Sequence, residues 1–141
     1  MAGQRIPNLY GWSWRIGELR IYAASSDKGA LRVCLSLKDE AVGCAYFEAR
    51  VLADHVEENR AKNRVLISSV EAALRNRPVP LEIPMDIHAT PFQWKAWEAI
   101  AGIPFGETRT YGEVAAMAGK AGAARAVGQA MGRNPLPLIY P

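Results

Sequence analysis

The chain is poor in the residues that build redox, metal and membrane sites. Of its 141 residues only two are cysteine and two are histidine. Cys34 and Cys44 each sit inside an apolar, strand-like run, with no C-x-x-C pair and no histidine at ligand spacing. This speaks against a disulfide framework and offers no metal set, so no metal site is assigned. Both cysteines read as buried, reduced thiols that behave as small hydrophobes. His55 and His88 read as surface or capping residues. No apolar run approaches the roughly 18 residues a membrane span needs. The opening MAGQRIPNLYGW lacks the apolar centre of a secretion signal, so the expected location is the cytoplasm.

Acidic residues are missing from one long stretch. From Val114 to Pro141 there are Lys120, Arg125 and Arg133 and no Asp or Glu. That local imbalance says more than the total charge of +3, because a basic, carboxylate-free segment is the footprint of a surface that faces phosphates. Half of the residues are hydrophobic. A chain of this length can bury roughly two-thirds of its unfolded surface, enough for one domain or two small lobes.

The first half reads as strands. Ile16 to Ala24, Leu31 to Leu37 and Gly43 to Val51 carry β-branched, aromatic and Leu residues, separated by the turn-rich SSDKG and KDEAVG. Three antiparallel strands are expected. Residues 52 to 62, dominated by charge and amides, read as a partly ordered loop. Leu66, Ile67, Val70, Ala73 and Leu74 recur at helical spacing and predict a helix ending before Pro78 and covering one sheet face. The three prolines between Arg77 and Ala89 mark a surface connection, extended over Leu81 to Ile87. Lobes of residues 1–86 and 87–141 follow.

In the second half, Thr90, Pro91 and Gln93 form a capping box with Pro at the first helical position, opening a helix from Pro91 to about Ala101. Thr110 and Glu113 repeat the box before a short helix that stops at Gly119. A third helix runs from about Gly122 to Met131. The last two form a helix-turn-helix, with Ala115, Met117 and Val127 available to pack between them.

The third helix, GAARAVGQAMG, has almost only small side chains. A helix that reads bases in the major groove needs long hydrogen-bonding side chains on its outer face, and only Arg125 and Gln129 qualify. Small residues let a helix backbone come close to another surface, either a protein core or a minor groove with its phosphate walls. A single long cation among alanines favours the second, since Arg125 is shaped to enter a base stack or neutralise a phosphate.

The stretch TPFQWKAWEAIAGIPFGETRTYGEVAAMAG, followed by AGAARAVGQAMGRNPLPLIYP, resembles the DNA-binding domain of the O6-alkylguanine-DNA alkyltransferases, also called methylated-DNA-protein-cysteine methyltransferases. The likeness covers Thr90 to Pro141, with IPFGETRTYGEVA, AARAVGQAM and NPLPLIYP in the family's order. IGELRIYAASSDKGALRVCLSL is similar to the family's opening hairpin, and LISSVEAALRNRPVPLEIPMDI to its domain-joining helix and strand. The resemblance implies an α/β fold. Its N-terminal lobe would be ribonuclease H-like, a three-stranded antiparallel sheet plus helix. Its C-terminal lobe would be helical, winged-helix-like and DNA-binding.

The implied activity is DNA repair, in which a methyl or alkyl group passes from O6-alkylguanine in double-stranded DNA to a cysteine of the protein itself. The nucleotide is flipped out through the minor groove, and no cofactor takes part. Arg125 falls on the arginine finger that fills the vacated stack, and Tyr111 on the tyrosine that crowds the neighbouring phosphate. Asn134 falls on the asparagine hinge between recognition helix and active-site loop. Lys120, Ala124, Gln129 and Arg133 complete the expected DNA-binding set.

In the family, IYP is followed at once by Cys-His-Arg, where the cysteine is the acceptor and the histidine, backed by a glutamate, draws off its proton. The acceptor is therefore expected directly after Pro141, and no catalytic residue is assigned within the 141 residues, which are expected to bind DNA at most. Leu136, Leu138, Ile139 and Tyr140, without the wing and final helix, are expected to form an uncovered apolar patch that weakens the lobe and favours self-association. Two other readings differ in kind. One is a non-catalytic alkyltransferase-like protein that binds lesions. The other is a winged-helix-type regulator reading the major groove.

Overall fold

The computed structural model describes residues 8–37, 56–79 and 82–141. The chain divides into two compact units, Met1–Ile87 and His88–Pro141.

The first unit carries a mixed four-stranded sheet in the order β3-β2-β1-β4. β1 (Leu9–Ile16) and β2 (Leu19–Ser26) form a hairpin with Ile16 opposite Leu19, and β3 (Gly29–Ser36) adds antiparallel with Ser26 opposite Gly29. Turns of two residues, Gly17-Glu18 and Asp27-Lys28, set both registers. β1 lies ahead of the first expected strand, and its Tyr10, Trp12 and Trp14 are strand-favouring residues at alternate positions. β4 (Val56–Glu58) pairs parallel with β1, Leu9 opposite Val56, inside a segment expected to be a loop. Three residues with two outward carboxylates give little sequence signal, and the strand exists because β1 offers its edge. The expected strand from Gly43 to Val51, with Cys44, lies outside the described residues, as does His55.

The expected helix is α1 (Arg64–Leu74), with Leu66, Ile67, Ser69 and Val70 buried. It is tied to the sheet by Asn63, which is fully buried. Its Nδ2 donates to the carbonyls of Tyr10 and Asn59 at 3.1 and 3.0 Å, and its Oδ1 accepts from the Ser25 hydroxyl at 2.9 Å. At the surface, Asp27 accepts hydrogen bonds from Asn8, Tyr10 and Lys62. These bonds, that from Asn8 first, hold its carboxyl below the usual range. Residues 84–86 run beside β3, where Ala30 donates to Pro84 and accepts from Asp86. Cys34, expected to be buried, is half-buried on β3.

The second unit is helical. α2 (Pro91–Ala101) and α3 (Tyr111–Met117) both start in complete capping boxes. α4 (Ala124–Gly132) follows a turn in which Gly119 and Gly122 take φ of 79° and 83°, left-handed conformations that glycine adopts without strain. Val114, Ala115 and Val127 form the core between the helices, with Phe92, Ile100 and Met131 packed around it. Met117, expected there, is half exposed because it stands off the face that Val114, Ala115 and Ala118 share.

The chain end also differs from expectation. Leu136, Ile139 and Tyr140 are buried rather than uncovered. The Tyr140 ring meets Trp94 and Trp97 of α2 at centroid distances of 6.2 and 6.3 Å, and the two tryptophans meet edge to face at 5.2 Å. These three side chains form no open apolar patch, and Tyr140 finds its cover on α2. No helix among the described residues is long and apolar enough to cross a membrane.

Candidate nucleic-acid interface

α4 separates cleanly into two faces. Val127 and Ala130 are buried, while Arg125, Gln129 and Arg133 are exposed at successive four-residue steps. The buried face is locked by Trp97, whose indole N–H donates to the Ala130 carbonyl at 2.9 Å. With its inner side held this way, the helix presents a fixed outer stripe of two guanidinium groups and an amide. The surface between them is made low by Ala124, Gly128 and Gly132. Arg125, the residue singled out from the sequence, has no ion-pair partner among the described residues, so its charge is free to meet a phosphate or a base.

Tyr111 opens α3 and is half exposed. Its ring lies against the backbone of α4 at Gly128, where a Cβ would come within 3.3 Å of Cε2. Gly128 follows Arg125 by three residues, so the phenol and the guanidinium share one side of α4. The Thr110 box fixes where α3 begins. The Thr110 N–H donates to Glu113 Oε2 at 2.7 Å, and the Glu113 N–H donates to Thr110 Oγ1 at 3.2 Å. The bond from the Thr110 backbone, then that from its hydroxyl, holds the Glu113 carboxyl below its ordinary value.

Lys120, in the turn before α4, is exposed, and its ammonium lies over the Phe92 ring at 5.7 Å from the centroid. Asn134 bridges the segment after α4. Its Oδ1 accepts from the Leu136 N–H at 3.0 Å, and its Nδ2 donates to the Tyr140 carbonyl. Within this closed turn Leu138 holds φ of 75°, a conformation that costs a branched residue energy and persists only where neighbours enforce it. Among the described residues, no three His, Cys, Asp or Glu side chains gather as a metal set. His88 is exposed.

Against known proteins, the family described as the 6-O-methylguanine DNA methyltransferase DNA-binding domain matches residues 91–141. A methylated-DNA–protein-cysteine methyltransferase of Methanosarcina mazei is 36% identical over 121 residues, covering 86% of this chain and 72% of that protein. The chain belongs to this alkyltransferase family. A methylated-DNA–protein-cysteine methyltransferase of Mycobacterium leprae is 44% identical over 75 residues, and the match spans 46% of its length, so this chain covers about half of that relative. The crystal structure of Mycobacterium tuberculosis OGT in complex with DNA superposes with a TM-score of 0.68 at 26% identity, over 94% of this chain and 74% of that one. The stretch matching the alkyltransferase DNA-binding domain holds all seven residues named from the sequence: Tyr111, Lys120, Ala124, Arg125, Gln129, Arg133 and Asn134. Sequence reasoning missed Gly128 and Trp97. The one's importance lies in a ring packed on it and the other's in a single carbonyl, and neither contact leaves a mark on the chain's own periodicity.

Proposed function

We propose that this chain is the DNA-binding part of a cytoplasmic repair alkyltransferase, which engages double-stranded DNA containing O6-alkylguanine through the minor groove. α4 approaches the groove with its small-residue surface, Arg125 enters the stack in place of the flipped nucleotide, and Tyr111 crowds the adjacent phosphate. Lys120, Gln129 and Arg133 contact the backbone around them, and Asn134 holds the segment that leads toward the acceptor position. The observation that carries this reading is the free, exposed Arg125 on a low helix surface with the Tyr111 ring on the same side. A major-groove reader would need more long polar side chains than this stripe offers.

The test is fluorescence anisotropy with a labelled duplex carrying one O6-methylguanine, titrated across salt. Binding should weaken with salt at a log–log slope of about −2 to −3, as expected if two or three phosphates are neutralised. Arg125→Ala should lose roughly 1–3 kcal/mol, the order of one base stacked on an aromatic side chain. Absence of any salt-dependent binding at low ionic strength sinks the reading.

A further inference from the structure

Within α4 the small positions are filled by alanine at 124, 126 and 130, which is the best helix former and small enough for close approach. Gly128 is the exception inside the helix. Glycine there exposes backbone and loses more freedom on folding than alanine would, so its presence calls for a cause. Apart from its chain neighbours and the backbone of its own helix, the only atoms of the described residues within 4 Å of the position its Cβ would take are Cε2 and Cδ2 of Tyr111, at 3.3 and 3.5 Å. At Gly132, one turn further on, nothing lies within 4 Å. The Tyr111 phenol is half exposed and has no hydrogen-bond partner among the described residues. What orients its ring is therefore packing on the bare backbone of α4.

We propose that Gly128 is a positioning residue, kept without a side chain so that the Tyr111 ring can pack closely against α4 and hold its hydroxyl on the side that carries Arg125. A methyl group at 128 sits inside ordinary contact distance of the ring. The ring is the softer partner and moves outward, carrying the hydroxyl away from the phosphate it is meant to meet. The inference deepens the DNA-binding reading and rests on it for its effect on affinity, but the seating of the ring can be measured without DNA.

The experiment uses Gly128→Ala, Tyr111→Ala and the double variant. Gly128→Ala should leave Tm unchanged or raised, since alanine favours the helix, yet weaken binding to the O6-methylguanine duplex at least threefold. In the Tyr111→Ala background the same substitution should have no effect, because no ring is left to displace. An equal loss in both backgrounds means that the methyl group meets DNA directly, and overturns the proposal; so does no loss in either. Proton NMR of the free protein gives the independent readout. Tyr111 ring protons should show contacts to the Gly128 α-protons, and the ring resonances should shift in Gly128→Ala. Absence of those contacts refutes the seating itself. If they are present but Tyr111→Ala leaves DNA affinity unchanged, the role given to Tyr111 in DNA binding is what fails.

Discussion

At the scale of single residues, the two units rely on polar groups in opposite ways. Asn63 is buried and has three of its bonding positions used by Tyr10, Asn59 and Ser25. Replacing it removes the amide from the buried Tyr10 carbonyl and the part-buried Asn59 carbonyl and leaves the Ser25 hydroxyl only its longer bond to the Lys62 carbonyl, and unsatisfied buried groups cost about 1–3 kcal/mol each before relaxation and water entry. Asn63→Ala should therefore lower stability by about 3 kcal/mol, with an unchanged m-value in urea denaturation. A loss under about 1 kcal/mol would show that water replaces the amide at little cost. Arg125 is the reverse case. It is exposed, and its value lies in what it can meet outside the protein. Its substitution should scarcely change stability, because surface changes away from caps and cores stay within about 0.5 kcal/mol.

At the scale of elements, the helix starts are the most strongly encoded features. Thr90 with Gln93 and Thr110 with Glu113 read as capping boxes, and both boxes are closed in the structure. The second box is also a pH sensor of known sign. The folded-state pKa of Glu113 is lowered from 4.5 by the bonds that its carboxylate accepts from Thr110. Its contribution is thus complete above the unfolded value and is lost as pH falls through the folded one. Glu113→Gln, which keeps an acceptor but does not titrate, should be less stable than the parent at about pH 7. The difference should shrink as the solution is acidified below 4.5. Thermal melts of both proteins across that range check it, and a constant difference would mean that the charge is irrelevant to the cap.

Other elements were less legible, for reasons that differ. α1 declared itself through apolar residues at helical spacing. β4 could not, because a three-residue edge strand with two glutamates has no pattern of its own. β1 has alternating aromatics, but its turn is only Gly17-Glu18, a far weaker mark than the turn-rich SSDKG that follows β2. Met117 has the residue type of a core position, whereas the phase of α3 puts Val114 there. The capped, buried chain end shows the same limit. Leu136, Ile139 and Tyr140 look stranded in sequence, yet all three are buried, and Trp94 and Trp97, some forty residues earlier, meet the Tyr140 ring.

At the scale of the whole molecule, the distribution of chemistry over the two units sets the expected behaviour. The two thiols, Cys34 and Cys44, belong to the first unit, while the proposed DNA surface belongs to the second. Incubated with O6-methylguanine duplex, these 141 residues should bind without gaining the mass of a methyl group. Intact-protein mass spectrometry checks this, and stoichiometric methylation would mean that one of the two thiols is an acceptor.

The sequence by itself determined the helical caps, the helix-turn-helix and the basic, carboxylate-free character of the stretch from Val114 to Pro141. These depend on local spacing and on motifs that survive without knowledge of distant contacts. Only the tertiary structure decided that the sheet takes up a parallel edge strand, that Tyr140 packs on Trp94 and Trp97 of α2, that Trp97 holds α4 through one carbonyl, and that Tyr111 rests on Gly128. Each of these joins residues far apart in the chain, and whether such surfaces meet is fixed by close packing in three dimensions rather than by the identity of either partner.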